Sequence, residues 1–138
     1  MEEIVIDASN NVAGRLASKV AKEALKGKRI FIVNAEKCVF SGSPKVTEAF
    51  FSEKVKRGDP YHGPFYPKTP DSIFKRIVRG MLPYRTTRGR EALNRIKVYT
   101  GMPDEFKNRE IKDLGTGNKL KYKYMTLEKV CEKLRGKR

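Results

Sequence analysis

Between Ser72 and Arg90 the chain carries Lys75, Arg76, Arg79, Arg85, Arg88 and Arg90 and no acidic residue. Extended to Lys97, the tract holds eight basic side chains against one acid, Glu91. Charges of one sign repel one another unless a polyanion neutralises them, and a phosphate backbone is the commonest such partner. The plain alternative is a solvated charged face. Two features speak against it. Acidic partners for i,i+4 pairing are missing across residues 72–90. Arginine also outnumbers lysine there five to one, although lysine leads 19 to 12 over the whole chain. A guanidinium fork suits bidentate phosphate contact and stacking on bases. Arg76, Arg79, Arg85, Arg88 and Arg90 are therefore the first candidates for binding a nucleic-acid phosphate backbone. Lys75, Lys68 and a stripe led by Arg15 and Lys19 follow them.

A loop at residues 58–70, GDPYHGPFYPKTP, holds four prolines and two glycines and cannot be regular structure. Its Tyr61, His62, Phe65 and Tyr66 offer rings that stack on unpaired bases or, equally, fold back onto the domain. Lys119, Lys121 and Lys123 alternate with Leu120, Tyr122 and Tyr124, a period of two that reads as an extended segment with one basic face.

Nothing else assembles reactive chemistry. The strand–loop–helix at the start offers a single glycine, Gly14, where a dinucleotide fingerprint needs three, so it reads as an ordinary βα turn. In Ser41-Gly42-Ser43-Pro44-Lys45, the proline removes an N–H that a phosphate cradle would use. His62 is the only histidine and has no nucleophile beside it in sequence. Asp59, Asp71, Asp104 and Glu105 read as solvated loop acids. Cys38 and Cys131 are isolated, so no zinc spacing can be formed, and two lone thiols fit a reducing compartment. The expectation is no catalytic residue, no cofactor, no metal and no small-molecule substrate.

The elements that must position the arginines follow from periodicity. Residues 3–7, EIVID, read as a buried strand, and Asn10 or Asn11 as the cap of a helix over 12–26. That helix is apolar on one side, with Arg15, Lys19, Lys22 and Lys26 as a basic stripe on the other. Gly27 ends it, and residues 29–34, RIFIVN, form a second strand buried on both faces. Strand, helix and strand in this length make a βαβ unit with a parallel pair. Ser43-Pro44 and Thr69-Pro70 are cap-then-proline signatures opening helices over 44–57 and 70–82. The second buries Ile73, Phe74, Ile77, Val78 and Met81 and stops at Pro83. A short helix over 89–96, a strand over 96–99 and a final helix capped by Thr126 complete the reading. Residues 102–125 are polar with little periodicity.

At 138 residues the chain is one basic α/β domain, 1–138, with 38% hydrophobic residues and 34% charged. Its net charge of +15 is spread along the chain rather than held in a tail. No stretch approaches the roughly 20 apolar residues of a membrane span, and the N-terminus does not read as a signal peptide. The expectation is a soluble, cytoplasmic protein.

Five segments in order carry a family resemblance: IDASNNVAGRLAS (6–18) with a following KGK, VNAEK (33–37), RGMLP (79–83) and KVYTGMP (97–103). Together they resemble the universal ribosomal protein L-thirteen of the large subunit. The resemblance implies a three-layer α/β/α domain around a mostly parallel four-stranded sheet. It also implies a structural, non-catalytic role: binding large-subunit ribosomal RNA, assembling early and contacting neighbouring large-subunit proteins. In that family Arg79, Gly80 and the basic residues of YRTTRGR (84–90) lie where charge meets RNA. The segment after Met102 departs from the bacterial pattern, and the amphipathic helix at 126–135 is closer to archaeal members. Two other readings compete: a nucleic-acid binder acting outside the ribosome, and a small α/β enzyme for a phosphorylated substrate.

Overall fold

The structure is a computed structural model that describes residues 2–57, 67–112 and 124–134. Its centre is a parallel sheet. Strand β1 (Glu3–Asp7) leads through helix α1 (Ala13–Leu25) to β2 (Arg29–Val33), which lies parallel to β1. Strand β4 (Ile96–Val98) pairs parallel with the other side of β2. The register places Ile4, Ile30 and Ile96 in one cross-strand row and Ile6, Ile32 and Val98 in the next. These rows point to one face because side chains alternate along a strand.

The five helices of the described residues contribute apolar side chains to the core that begins at that face. Besides α1 they are α2 (Pro44–Lys56), α3 (Pro70–Gly80), α4 (Thr87–Asn94) and α5 (Leu127–Leu134). Leu16 and Val20 of α1, Phe51 of α2, Phe74 of α3, Ala92 of α4 and Leu134 of α5 join Ile4, Ile30 and Ile96 in a single core. Removing each large side chain from water contributes about 1.5–3 kcal/mol. The α/β class and the mostly parallel sheet are as the sequence led us to expect. The opposite face presents Val5, Phe31 and Val33, covered by Phe106, Tyr99 and Met102. Phe106 lies on a 3₁₀ turn (Asp104–Phe106), so among the described residues this cover is a turn of chain. Phe31 meets Phe106 at 5.1 Å between ring centroids.

The sheet also has three ladder strands rather than four among the described residues. On the free side of β1 a single parallel bridge, Val5 to Ile111, takes the fourth position. A separate two-stranded antiparallel ladder joins β3 (Val39–Ser41) to β5 (Tyr124–Thr126). Neither was anticipated as a ladder, because three residues carry no readable period.

Several boundaries move for local reasons. Helix α1 is capped by Val12 rather than Asn10 or Asn11. Asn10 takes a left-handed φ of 59°, and the Asn11 amide donates to the Asp7 and Ser9 carbonyls, so both asparagines build the turn before the helix. Strand β2 stops at Val33 because Asn34 is left-handed, φ 55°. Burial opposes ionisation of Asp7, but hydrogen bonds from Ser9 and Asn34 and the charge of Lys37 hold its carboxyl below the usual range. Helix α3 ends at Gly80, so Met81 leaves its apolar stripe and is 44% exposed rather than buried. Helix α4 begins earlier than expected, at Thr87, because Thr86 caps it. Thr126 does cap α5, accepting from the Lys129 N–H at 3.4 Å.

Cys38 and Cys131 are buried and form no disulfide among the described residues. Burial pushes the Cys38 thiol up to about 12, with nearby Cys131 adding to the shift. Thiolate is the reactive form. In the folded protein at pH 8, neither thiol is expected to react with a disulfide reagent, and both should titrate in denaturant. Rapid native-state labelling of Cys38 would contradict its placement.

Candidate nucleic-acid interface

The turn between α3 and α4, residues 81–86, is fixed by its own hydrogen bonds. The Tyr84 N–H donates to the Leu82 carbonyl at 2.8 Å and the Thr86 N–H to the Pro83 carbonyl at 2.9 Å. The Thr86 hydroxyl donates to the same Pro83 oxygen at 2.7 Å and accepts from the Gly89 N–H at 3.2 Å. An N-cap of this kind stabilises by about 1 kcal/mol. Pro83 cannot extend α3, and the residue before a proline is pushed out of helical conformation. Sequence thus dictates a tight corner, and the corner displays charge.

Arg79 and Arg85 converge there on Tyr84. The Arg79 guanidinium lies 4.3 Å from the ring centroid, and hydrogen bonding to Arg85, then Arg79, draws the phenol below its ordinary range. Tyr84 is thus a positioning residue that composition alone did not single out. Its only sequence signal is an aromatic between two arginines of the tract. Arg88 and Arg90 stand exposed in the first turn of α4, which holds no acid. The positive end of a helix dipole disfavours cations at that end, so these two are placed against local stability.

Lys75 sits on α3 near Lys97, and burial with the Lys97 charge pulls its ammonium below the usual range. A phosphate there would relieve both effects. Lys75→Met is expected to raise the urea midpoint of the free protein slightly while weakening polyanion binding. A lowered midpoint would mean that the ammonium already has a stabilising partner.

The remaining candidates divide. Arg76 and Arg15 both line a groove of about 920 Å³ between α1, α2 and α3. Lys19 is exposed on α1 with the rest of the basic stripe, whose last member, Lys26, faces Glu23 at 3.5 Å. Lys68 is half-buried just ahead of α3. Tyr61 and His62, like Lys119, Lys121 and Lys123, lie outside the described residues. The candidates therefore form three neighbourhoods joined by α3 rather than one patch. Arg95, although in the same tract, turns inward: its guanidinium donates to the Ala24 carbonyl at 3.0 Å, closing the end of α1. Among the described residues no group of three or more His, Cys, Asp or Glu could hold a metal ion.

Comparison with known proteins gives this arrangement its setting. The family model described as Ribosomal protein L13 matches residues 1–105. A large ribosomal subunit protein uL13 of Methanopyrus kandleri is 54% identical over 102 residues, 74% of this chain and 64% of that protein's length. The Methanosarcina barkeri protein of the same name is 47% identical, covering 96% of this chain and 98% of its own. That of Archaeoglobus fulgidus is 44% identical over 94% and 86% respectively. All three are archaeal, in keeping with the form of the last helix. With a family model over most of the chain and relatives this similar along nearly all of it, the chain belongs to the ribosomal protein L13 family, whose members are structural proteins rather than enzymes.

Proposed function

We propose that this protein is a structural constituent of the large ribosomal subunit, that it binds large-subunit ribosomal RNA through the basic face of α3 and α4, and that it joins the particle early in assembly. One observation carries the reading. Arg85, Arg88 and Arg90 stand exposed on a rigid corner, with Arg79 stacked beside them and no acid from residue 72 to 90. Such a surface positions phosphates rather than reading bases, so its role is to hold RNA segments together. Tyr61 and His62 remain part of the proposal as stacking residues of their loop.

The partners are then ribosomal RNA and neighbouring large-subunit proteins, and the setting is the ribosome in the cytoplasm. Among the described residues no helix is long and apolar enough to cross a membrane. Sedimentation of a lysate through a sucrose gradient after a high-salt wash tests this, with the protein followed by mass spectrometry. Salt strips loosely held cations from RNA far faster than integral components. Retention in the large-subunit peak at about one copy per particle is the expected result. Loss to the top of the gradient would instead indicate a peripheral nucleic-acid binder.

A further inference from the structure

We propose that the groove between α1, α2 and α3 receives one unpaired nucleotide of RNA, its base entering the groove and its phosphate held at the rim. The inference rests on the RNA-binding reading above but concerns a different surface from the α3–α4 corner. It begins with α2. That helix buries Phe51 and Val55, yet its outer side also carries Val46, 69% exposed, and Phe50, 54% exposed. A helix meant for water on that side would be polar there. Exposed apolar residues that line a concave surface mark a contact. Phe50 is held edge-on against Phe51 at 5.3 Å, and Phe51 in turn packs on Phe40 at 5.2 Å. All three rings line the groove, so it has an aromatic wall in fixed orientation.

Charge selects the occupant. Among the described residues, Arg15, Lys54, Arg57 and Arg76 line the groove and no acidic residue does. Glu53 meets Arg57 at 2.7 Å from outside the lining, and α1, α2 and α3 each bring at least one cationic side chain to it. A neighbour as basic as this chain would be repelled, whereas an RNA strand would be drawn in. A volume of about 920 Å³ is ample for a nucleotide. A stacked duplex cannot offer a base to such a groove, but a bulged or looped strand can splay one out onto an aromatic ring. Lys54 stands 4.8 Å from the Phe50 centroid, so the cation suited to the phosphate is beside the ring suited to the base.

The test uses two RNA hairpins of equal length, one fully paired and one with a single-nucleotide bulge bearing 2-aminopurine. The bulged hairpin is expected to bind about tenfold more tightly, with a change in 2-aminopurine emission. Phe50→Ala, at an exposed position, should bring it down to the paired hairpin's affinity and leave the paired hairpin unchanged. Equal binding of the two hairpins, or a Phe50→Ala loss shared by both, overturns the groove assignment while leaving the corner intact. Binding of neither hairpin overturns the RNA reading itself and this inference with it. A short acidic peptide with one aromatic residue that outbinds the bulged hairpin, and loses affinity in Phe50→Ala, would give the groove to a protein partner instead.

Discussion

The variant in which Arg85, Arg88 and Arg90 all become glutamate is expected to fold as well as the parent chain and to be missing from large subunits. The three side chains are exposed, so their loss leaves the core untouched. Two of them occupy the first turn of α4, where a carboxylate suits the helix dipole better than a guanidinium does. The melting temperature should therefore hold or rise slightly. Binding should collapse. The formal net charge falls from +15 to +9, and three phosphate contacts become three repulsions. Each lost contact lowers the slope of log K against log salt by about 0.7–0.9, so a fall of roughly 2–3 in slope is expected. At physiological salt the accompanying loss of affinity should be on the order of 10³-fold or more. Pulse-labelled incorporation into gradient-purified subunits measures the outcome. A folded triple variant that enters subunits at the parental rate would remove the corner from the RNA-binding surface.

Gly89→Ala should produce the opposite failure, a protein with its charges intact and its corner broken. A β-carbon at residue 89 would lie 1.9 Å from the Pro83 carbonyl oxygen and 2.3 Å from the Pro83 carbonyl carbon. Both are backbone atoms of the turn that Thr86 ties together, so no side-chain rotation can make room. The turn must shift, straining the α4 cap and the bond between the Thr86 hydroxyl and Pro83. Overpacking of this kind costs about 3 kcal/mol, which lowers the melting temperature by roughly 10 °C in a chain of this size. Gly14→Ala is the matched control. Nothing lies within 4 Å of its β-carbon position, and α1 should gain up to about 1 kcal/mol. Thermal unfolding of both variants decides the matter. A Gly89→Ala protein that melts with the parent would show that the corner yields freely.

Much of this architecture is local and therefore readable in the chain. The βαβ start, the two cap-then-proline helices and the last helix rest on periodicity and capping within a dozen residues, and each lies close to where those signals place it. What escaped reading is what needs distant partners. The β3–β5 ladder joins residues near 40 to residues near 125, and neither half is long enough to show a pattern. The thin second cover depends on where Phe106 lands, which no local rule specifies. The same division runs through the candidate site. The arginine tract announces itself as charge, but charge alone cannot say that Arg95 turns inward to Ala24 while Arg85 faces out. Nor can it show that Arg15, from the first helix, shares a groove with Arg76.

The cover supplied by Phe106 also bears on where the fold ends relative to the family model. Similarity to the family model ends at residue 105, yet the fold does not end there. The ring of Phe106 lies on Phe31 and Tyr99, and Ile111 bridges to Val5 on the outer edge of the sheet. The stretch beyond the family-model match thus helps to keep one face of the sheet dry. A protein cut after residue 105 would leave Val5, Phe31 and Val33 without the Phe106 ring that packs with them.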